Sequence, residues 1–216
     1  METGQEMDPI VVVGGGGHAK VVISILRKLK RYRILGYTDP KDYGAVVAVP
    51  YLGLDSELAA LAVGPKKLNV ALALGQVGLG EHRFKLWTRL DPSTLSFPLI
   101  VSPCAIVNEG VSGGEGAVVM DGAVINTGAS IGRGAIINTN STVEHDVMLE
   151  DWVHVAPGAT ISGGVTVGRF SMIGAGATVI EGIKITAGCM IGAGATIVHD
   201  LTEAGVYVGS PARRIK

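Results

Sequence analysis

No stretch of this sequence stays apolar for the roughly 20 residues that a helical bilayer span needs, so membrane insertion is not expected. An excess of charge of one sign is missing too. Eighteen Lys and Arg stand against 19 Asp and Glu, a net charge of −1. That balance gives no electrostatic case for nucleic acid or an anionic surface. Cysteine is scarce: Cys104 and Cys189 lie far apart and lack metal-ligand spacing, and Cys189 reads as a buried free thiol. The first residues, METGQEMDP, are polar and acidic and carry no signal-peptide pattern. The cytoplasm is the expected compartment. Aromatic residues are only 5% of the chain, whereas there are 32 glycines. A fold with a narrow interior, too tight for rings, suits both figures.

What the chain does contain is a repeat. From Ala105 to Asp200 it can be written in rows of six without an insertion, from AIVNEG, VSGGEG and AVVMDG to CMIGAG and ATIVHD. The third place of each row is Val, Ile or Leu in 15 of 16 rows, and Gly113 is the break. Neither helical periodicity nor strand alternation gives a period of six. A chain that turns a corner every six residues does, with one aliphatic side chain per side pointing inward. The sixth place is often Gly, which tolerates the positive φ of a sharp corner. Three sides make one coil, which stacks Val107, Ile125, Val143, Ile161, Val179 and Ile197 inside a parallel β-helix of about five coils.

Ahead of the repeats, PIVVV (9–13), GGGGHAK and VVISILRKLKR read as strand, glycine-rich turn and helix. Such a turn lets a phosphate approach the backbone at a helix N-terminus. Gly14, Gly16 and Ala19 satisfy the dinucleotide fingerprint, and Asp39 follows about twenty residues on. Further strands end at Thr38-Asp39 and at Gly75-Gln76, and residues 80–90 read as a helix. Residues 9–95 therefore form a half-Rossmann α/β domain, better suited to a mononucleotide or nucleotide sugar than to NAD. Residues 1–8 read as a tail. The prolines of 96–104 mark a linker, the β-helix occupies 105–200, and 201–216 cap its open end.

Of the histidines, His145 lies in STVEHD between Glu144 and Asp146. A carboxylate beside a histidine fixes the tautomer and supports the imidazolium, the arrangement of a general base. A surface histidine in a polar turn fits the spacing equally well. His154 in VHVAPG reads as a corner residue, His199 as part of the capping turn, and His82 as solvent-facing. His18 is aimed at whatever the glycine turn binds.

Together, GGGGHAK, the small α/β domain, NTNSTVEHD, WVHVAPGATISG and VYVGSPAR resemble one subfamily of hexapeptide-repeat, left-handed β-helix acyltransferases. It comprises the bacillosamine-type (PglD-like) sugar acetyltransferases, the perosamine N-acetyltransferases and the sialic acid O-acetyltransferases (NeuD-like). The left hand of the solenoid is an implication of this resemblance alone. So is a homotrimer with acetyl-CoA between neighbours. The resemblance further implies His145 as catalytic base, Asp146 as its orienting acid and Asn138 in the active-site surroundings. It assigns His154, Gly163, Ala175 and Ala193 to acetyl-CoA. Gly14, Gly15, Gly16, Gly17, His18, Asp39, Gly75, Gln76 and Arg83 correspond to the nucleotide-sugar pocket.

The implied reaction is direct N-acetylation of a nucleotide-linked 4-amino-4,6-dideoxy sugar, with no metal and no covalent enzyme intermediate. Sugar O-acetylation and a non-catalytic nucleotide-sugar scaffold are the competing readings. A zinc-dependent carbonic anhydrase of the same fold needs paired histidines five apart, whereas His145 and His154 are nine apart. An oxidoreductase rests on the glycines alone.

Overall fold

The computed structural model describes residues 7–62 and 66–216; residues 1–6 of the expected tail lie outside it. Strand β1 (Asp8–Val13), helix α1 (Gly17–Leu29), strand β2 (Tyr32–Thr38), helix α2 (Leu58–Leu61), strand β3 (Leu68–Leu72), helix α3 (Glu81–Trp87) and strand β4 (Leu95–Ser96) form the N-terminal domain. Its sheet is parallel in the order β2-β1-β3-β4. Ala19, Val22, Ile23 and Leu26, one stripe at helical spacing, are fully buried along α1.

The rest is a three-sided parallel β-helix. Each side contributes two-residue strands that pair with the strand one turn on, as in Thr142↔Thr160 and Val143↔Ile161. The third-place residues and the small first-place residues fill one continuous core, which includes the free, buried Cys189. Nearly every sixth-place residue has positive φ, including the non-glycines Asn140, Asp146, Trp152 and Phe170.

The coil has about six turns, not the expected five. Ile100–Val101 already pairs with Val118–Val119, so the first turn starts inside the expected linker of 96–104. Pro98 and Pro103 concealed it, since only two residues per side need strand conformation and both prolines fall outside them. Because no turn precedes the first, Val107 is 41% exposed although it occupies an inward place. Gly113 breaks the aliphatic column because Leu99 lies over it. A Cβ there would sit 2.4 Å from Leu99 Cδ2. At the other end, strand Gly205–Gly209 pairs with Cys189–Ile191 and then forms a hairpin with Ala212–Arg214. Tyr207 enters the core there.

Two apolar clusters join the domains among the described residues. On the face carrying Val118, Ile136 and His154, the outward residues Ile100, Val118 and Ile136 share a buried cluster with α1. Lys28 of α1 pairs with Asp121 at its rim. At the next corner, Phe84 and Trp87 of α3 meet Trp152 and Phe170, with ring centroids 5.6–5.8 Å apart. Phe97 joins through Trp87 at 4.1 Å. Both tryptophans and all three phenylalanines of the chain therefore sit in this joint. Trp152 and Phe170 hold φ of 64° there, a costly conformation for bulky residues.

Candidate active site

The expected site residues fall into three groups. The first surrounds the glycine turn. Asp39 accepts hydrogen bonds from the Gly15 N–H (2.8 Å) and the Lys41 N–H (2.9 Å), which ties the end of β2 to the turn after β1. Gly14, with φ of 110°, passes so close to β3 that a Cβ would lie 2.9 Å from the Ala73 carbonyl oxygen. A cleft of about 420 Å³ opens beside Gly15, Gly16 and Gly17, walled by Lys20, Tyr43 and Val47. Lys20 and Tyr43 escaped the sequence reading. Neither falls in a motif, and it is the fold that turns them toward the glycines.

The second group lines a groove of about 510 Å³ where the domains meet. His18, Gly75 and Gln76 form one wall; Asn138, His154, Ala175 and Ala193 form the other, with Met172 and Met190 between. His154 is 5% exposed, and its Nδ1 lies 3.0 Å from the Gln76 carbonyl. A carbonyl only accepts, so Nδ1 carries the proton and Nε2 accepts from Asn138 Nδ2 at 3.1 Å. Burial, with Arg83 nearby, lowers the His154 pKa to about 4 and that of His18 to about 3. Burial thus disfavours the imidazolium of both, which makes each a weak proton acceptor.

The third group stands at another corner of the prism. His145 Nδ1 and Asp146 Oδ2 are 3.0 Å apart. That hydrogen bond raises the His145 pKa above its ordinary value. The ring rests on Gly163, one turn along, where a Cβ would lie 2.6 Å from Nε2. Asn126 donates to Glu144 at 2.8 Å, continuing a polar ladder from Asn108 beside the histidine. Asn138 thus belongs with His154 and not with His145, and Gly163 is separated from Ala175 and Ala193.

Arg83 lines neither of the two spaces but lies behind the second group. It is 1% exposed in the domain joint, donates to the Gly134 carbonyl at 2.6 Å and lies 5.7 Å from the Trp152 ring. Among the described residues no cluster of three or more metal-ligating side chains occurs, and no helix is long and apolar enough to cross a membrane.

The PglD N-terminal domain model matches residues 9–83, and the bacterial transferase hexapeptide model matches residues 128–163. Among curated proteins no match is found. Among solved structures, the acetyltransferase domain of PglB from Neisseria gonorrhoeae, in complex with acetyl coenzyme A, is 32% identical. That likeness covers 97% of this chain and 100% of that one, with a TM-score of 0.89. PerB from Caulobacter crescentus, in complex with CoA and GDP-perosamine, is 36% identical, covering 98% of this chain and 99% of that one, with a TM-score of 0.89. The chain belongs to the PglD-like hexapeptide-repeat acyltransferases. WeeI from Acinetobacter baumannii, at 23% identity and a TM-score of 0.83, shares the fold. As a member of the PglD-like family, the chain is an acyltransferase enzyme.

Proposed function

We propose that the enzyme transfers an acetyl group from acetyl-CoA to the amine of a nucleotide-linked 4-amino-4,6-dideoxy sugar. The observation that carries this reading is the adjacency of two binding spaces. Gly17 lines the glycine-turn cleft and the next residue, His18, lines the groove along the coil, so a nucleotide in one can present its sugar to an acyl donor in the other. The complex of PerB with CoA and GDP-perosamine supports the same pairing of ligands.

His145 is the general base in this reading. Its Nδ1–H donates to Asp146, which leaves the Nε2 lone pair free. The neutral amine attacks the thioester carbonyl carbon and the C–N bond forms. His145 takes the proton, and the imidazolium is stabilised by Asp146. Collapse breaks the C–S bond and the proton passes to the departing thiolate. A backbone N–H donor to the carbonyl oxygen stabilises the intermediate.

Within one chain the base and the groove occupy different edges of the prism. A homotrimer completes the site by setting the His145 edge of one copy against the groove of its neighbour, with acetyl-CoA touching both. Two measurements test the proposal. Acetyl transfer is assayed against GDP-, UDP- and dTDP-linked amino sugars, with a sialic acid as the hydroxyl control. Sedimentation then gives the mass of the active species. Transfer to the sialic acid alone, or a fully active monomer, sinks the reading.

A further inference from the structure

Four buried side-chain atoms lack a hydrogen-bond partner among the described residues: His18 Nε2, Gln76 Oε1, and Nε and Nη2 of Arg83. They lie where the glycine turn, the loop after β3 and α3 converge on the coil. His18 Cβ lies 3.4 Å from the Cβ position of Gly75, and Gln76 Oε1 lies 3.2 Å from that of Gly80. The Gly80 carbonyl accepts the Arg83 N–H at 3.2 Å. Arg83 is also among the charges that act on His18.

A guanidinium only donates, and with Nη1 given to Gly134 its Nε and Nη2 hydrogens remain. No carboxylate pairs with Arg83 among the described residues. The acceptors at hand are the Gln76 amide oxygen and the lone pair of a His18 ring whose Nε2 is unprotonated. A buried water makes about three hydrogen bonds to such groups, enough to take one from Arg83 and donate to both acceptors. The opposite tautomer would set an Nε2–H among unpartnered donors and leave one acceptor for all of them. His18 lines the groove, and its Nδ1 is not among the sealed atoms.

We propose that Arg83 is a positioning residue for His18. Through a buried water shared with Gln76, it holds the His18 ring with Nε2 as acceptor and Nδ1–H as a donor facing the groove. His18 then hydrogen-bonds a substrate oxygen there and takes no proton. The inference rests on the acyl-transfer reading for its consequence, but its geometry stands apart from it.

The decisive variant is Arg83→Met, which keeps the aliphatic bulk and removes a buried unpaired charge, while leaving the Gly134 carbonyl without its donor. Full-length protein with ¹⁵N-labelled histidine reports which ring nitrogen of His18 is protonated, the signal being assigned by comparison with His18→Gln. In the wild type, Nδ1 is expected to carry the proton; in Arg83→Met the ring loses that preference. The kcat for acetyl transfer falls roughly tenfold, the weight of one hydrogen bond in a barrier, while KM for the nucleotide sugar stays put. A folded Arg83→Met enzyme with wild-type kcat and an unchanged ring spectrum overturns the proposal. Should the variant not fold, the wild-type spectrum decides: Nδ1-protonated His18 supports the assignment and Nε2-protonated His18 overturns it. The spectrum needs no substrate, so an error in the substrate reading and an error here are told apart.

Discussion

The imidazole of His145 rests on the backbone of Gly163, one turn further along the coil, with no room for a side chain between them. The position of the proposed base is thus set by an absent methyl group. Gly163→Ala should push the ring off its place and weaken its alignment with Asp146. The predicted result is a kcat at least tenfold lower, about 1.4 kcal/mol of barrier. Thermal stability should change little, because His145 is exposed and can swing outward. An alanine variant with wild-type kcat would remove the contact from the catalytic account.

Removing the base itself should cost more. His145→Ala is expected to lower kcat by roughly 10²–10⁴, the contribution of a positioned general base. Dissociation constants for acetyl-CoA and the nucleotide sugar should hold, since both ligands are held by other residues. Isothermal titration beside steady-state kinetics separates the two effects. His18 and His154 are poor substitutes, because burial lowers their pKa to about 3 and about 4 and leaves each a weak proton acceptor.

The pH profile follows from the Asp146 hydrogen bond. It favours protonated His145 and raises its pKa, and a base works only when deprotonated. The acid limb of the kcat profile should therefore lie above the pH expected of an ordinary histidine. Asp146→Asn should move that limb to lower pH and lower the plateau by less than His145→Ala does. A limb that stays where it was would mean that another group titrates.

At the glycine turn, Asp39→Ala removes the acceptor of the Gly15 N–H. KM for the nucleotide sugar should rise, with KM for acetyl-CoA nearly unchanged. The opposite pattern would break the assignment of the two ligands to the two spaces.

The domain joint offers a test of stability. Trp152→Gly relieves the left-handed backbone, worth roughly 1–2 kcal/mol. It also forfeits a buried indole, a loss of about 3–5 kcal/mol in other cores. The loss wins, so thermal unfolding should move to lower temperature. A higher melting temperature would show that the backbone strain, and not the aromatic contact, dominates.

The coil was legible because its rule is local: one aliphatic residue per six and a corner residue that accepts positive φ. The same rows also mark the face that is covered. In every third row the second residue is Ile100, Val118, Ile136, His154, Met172 and Met190, whereas the neighbouring face carries Thr142, Thr160, Thr178 and Thr196. That contrast is present in the sequence itself. Arg83 was misplaced for a different reason. Its neighbours Gly134 and Trp152 are about 50 and 70 residues away, and no local pattern encodes a contact made when two domains dock. Trp152 and Phe170 escaped likewise, because they occupy places where the repeat asks for glycine.

Each side of the coil is six residues long and each turn is three sides, so a residue pairs with the one eighteen further on, as 142 does with 160. Such a chain can change length only in whole turns. Losing six residues would keep the corners and the core but rotate every later side by one face. Thr160 would then stand where His154 stands and threonines would replace the wall of the groove. The repeat alone would accept that deletion, and the ligand space could not.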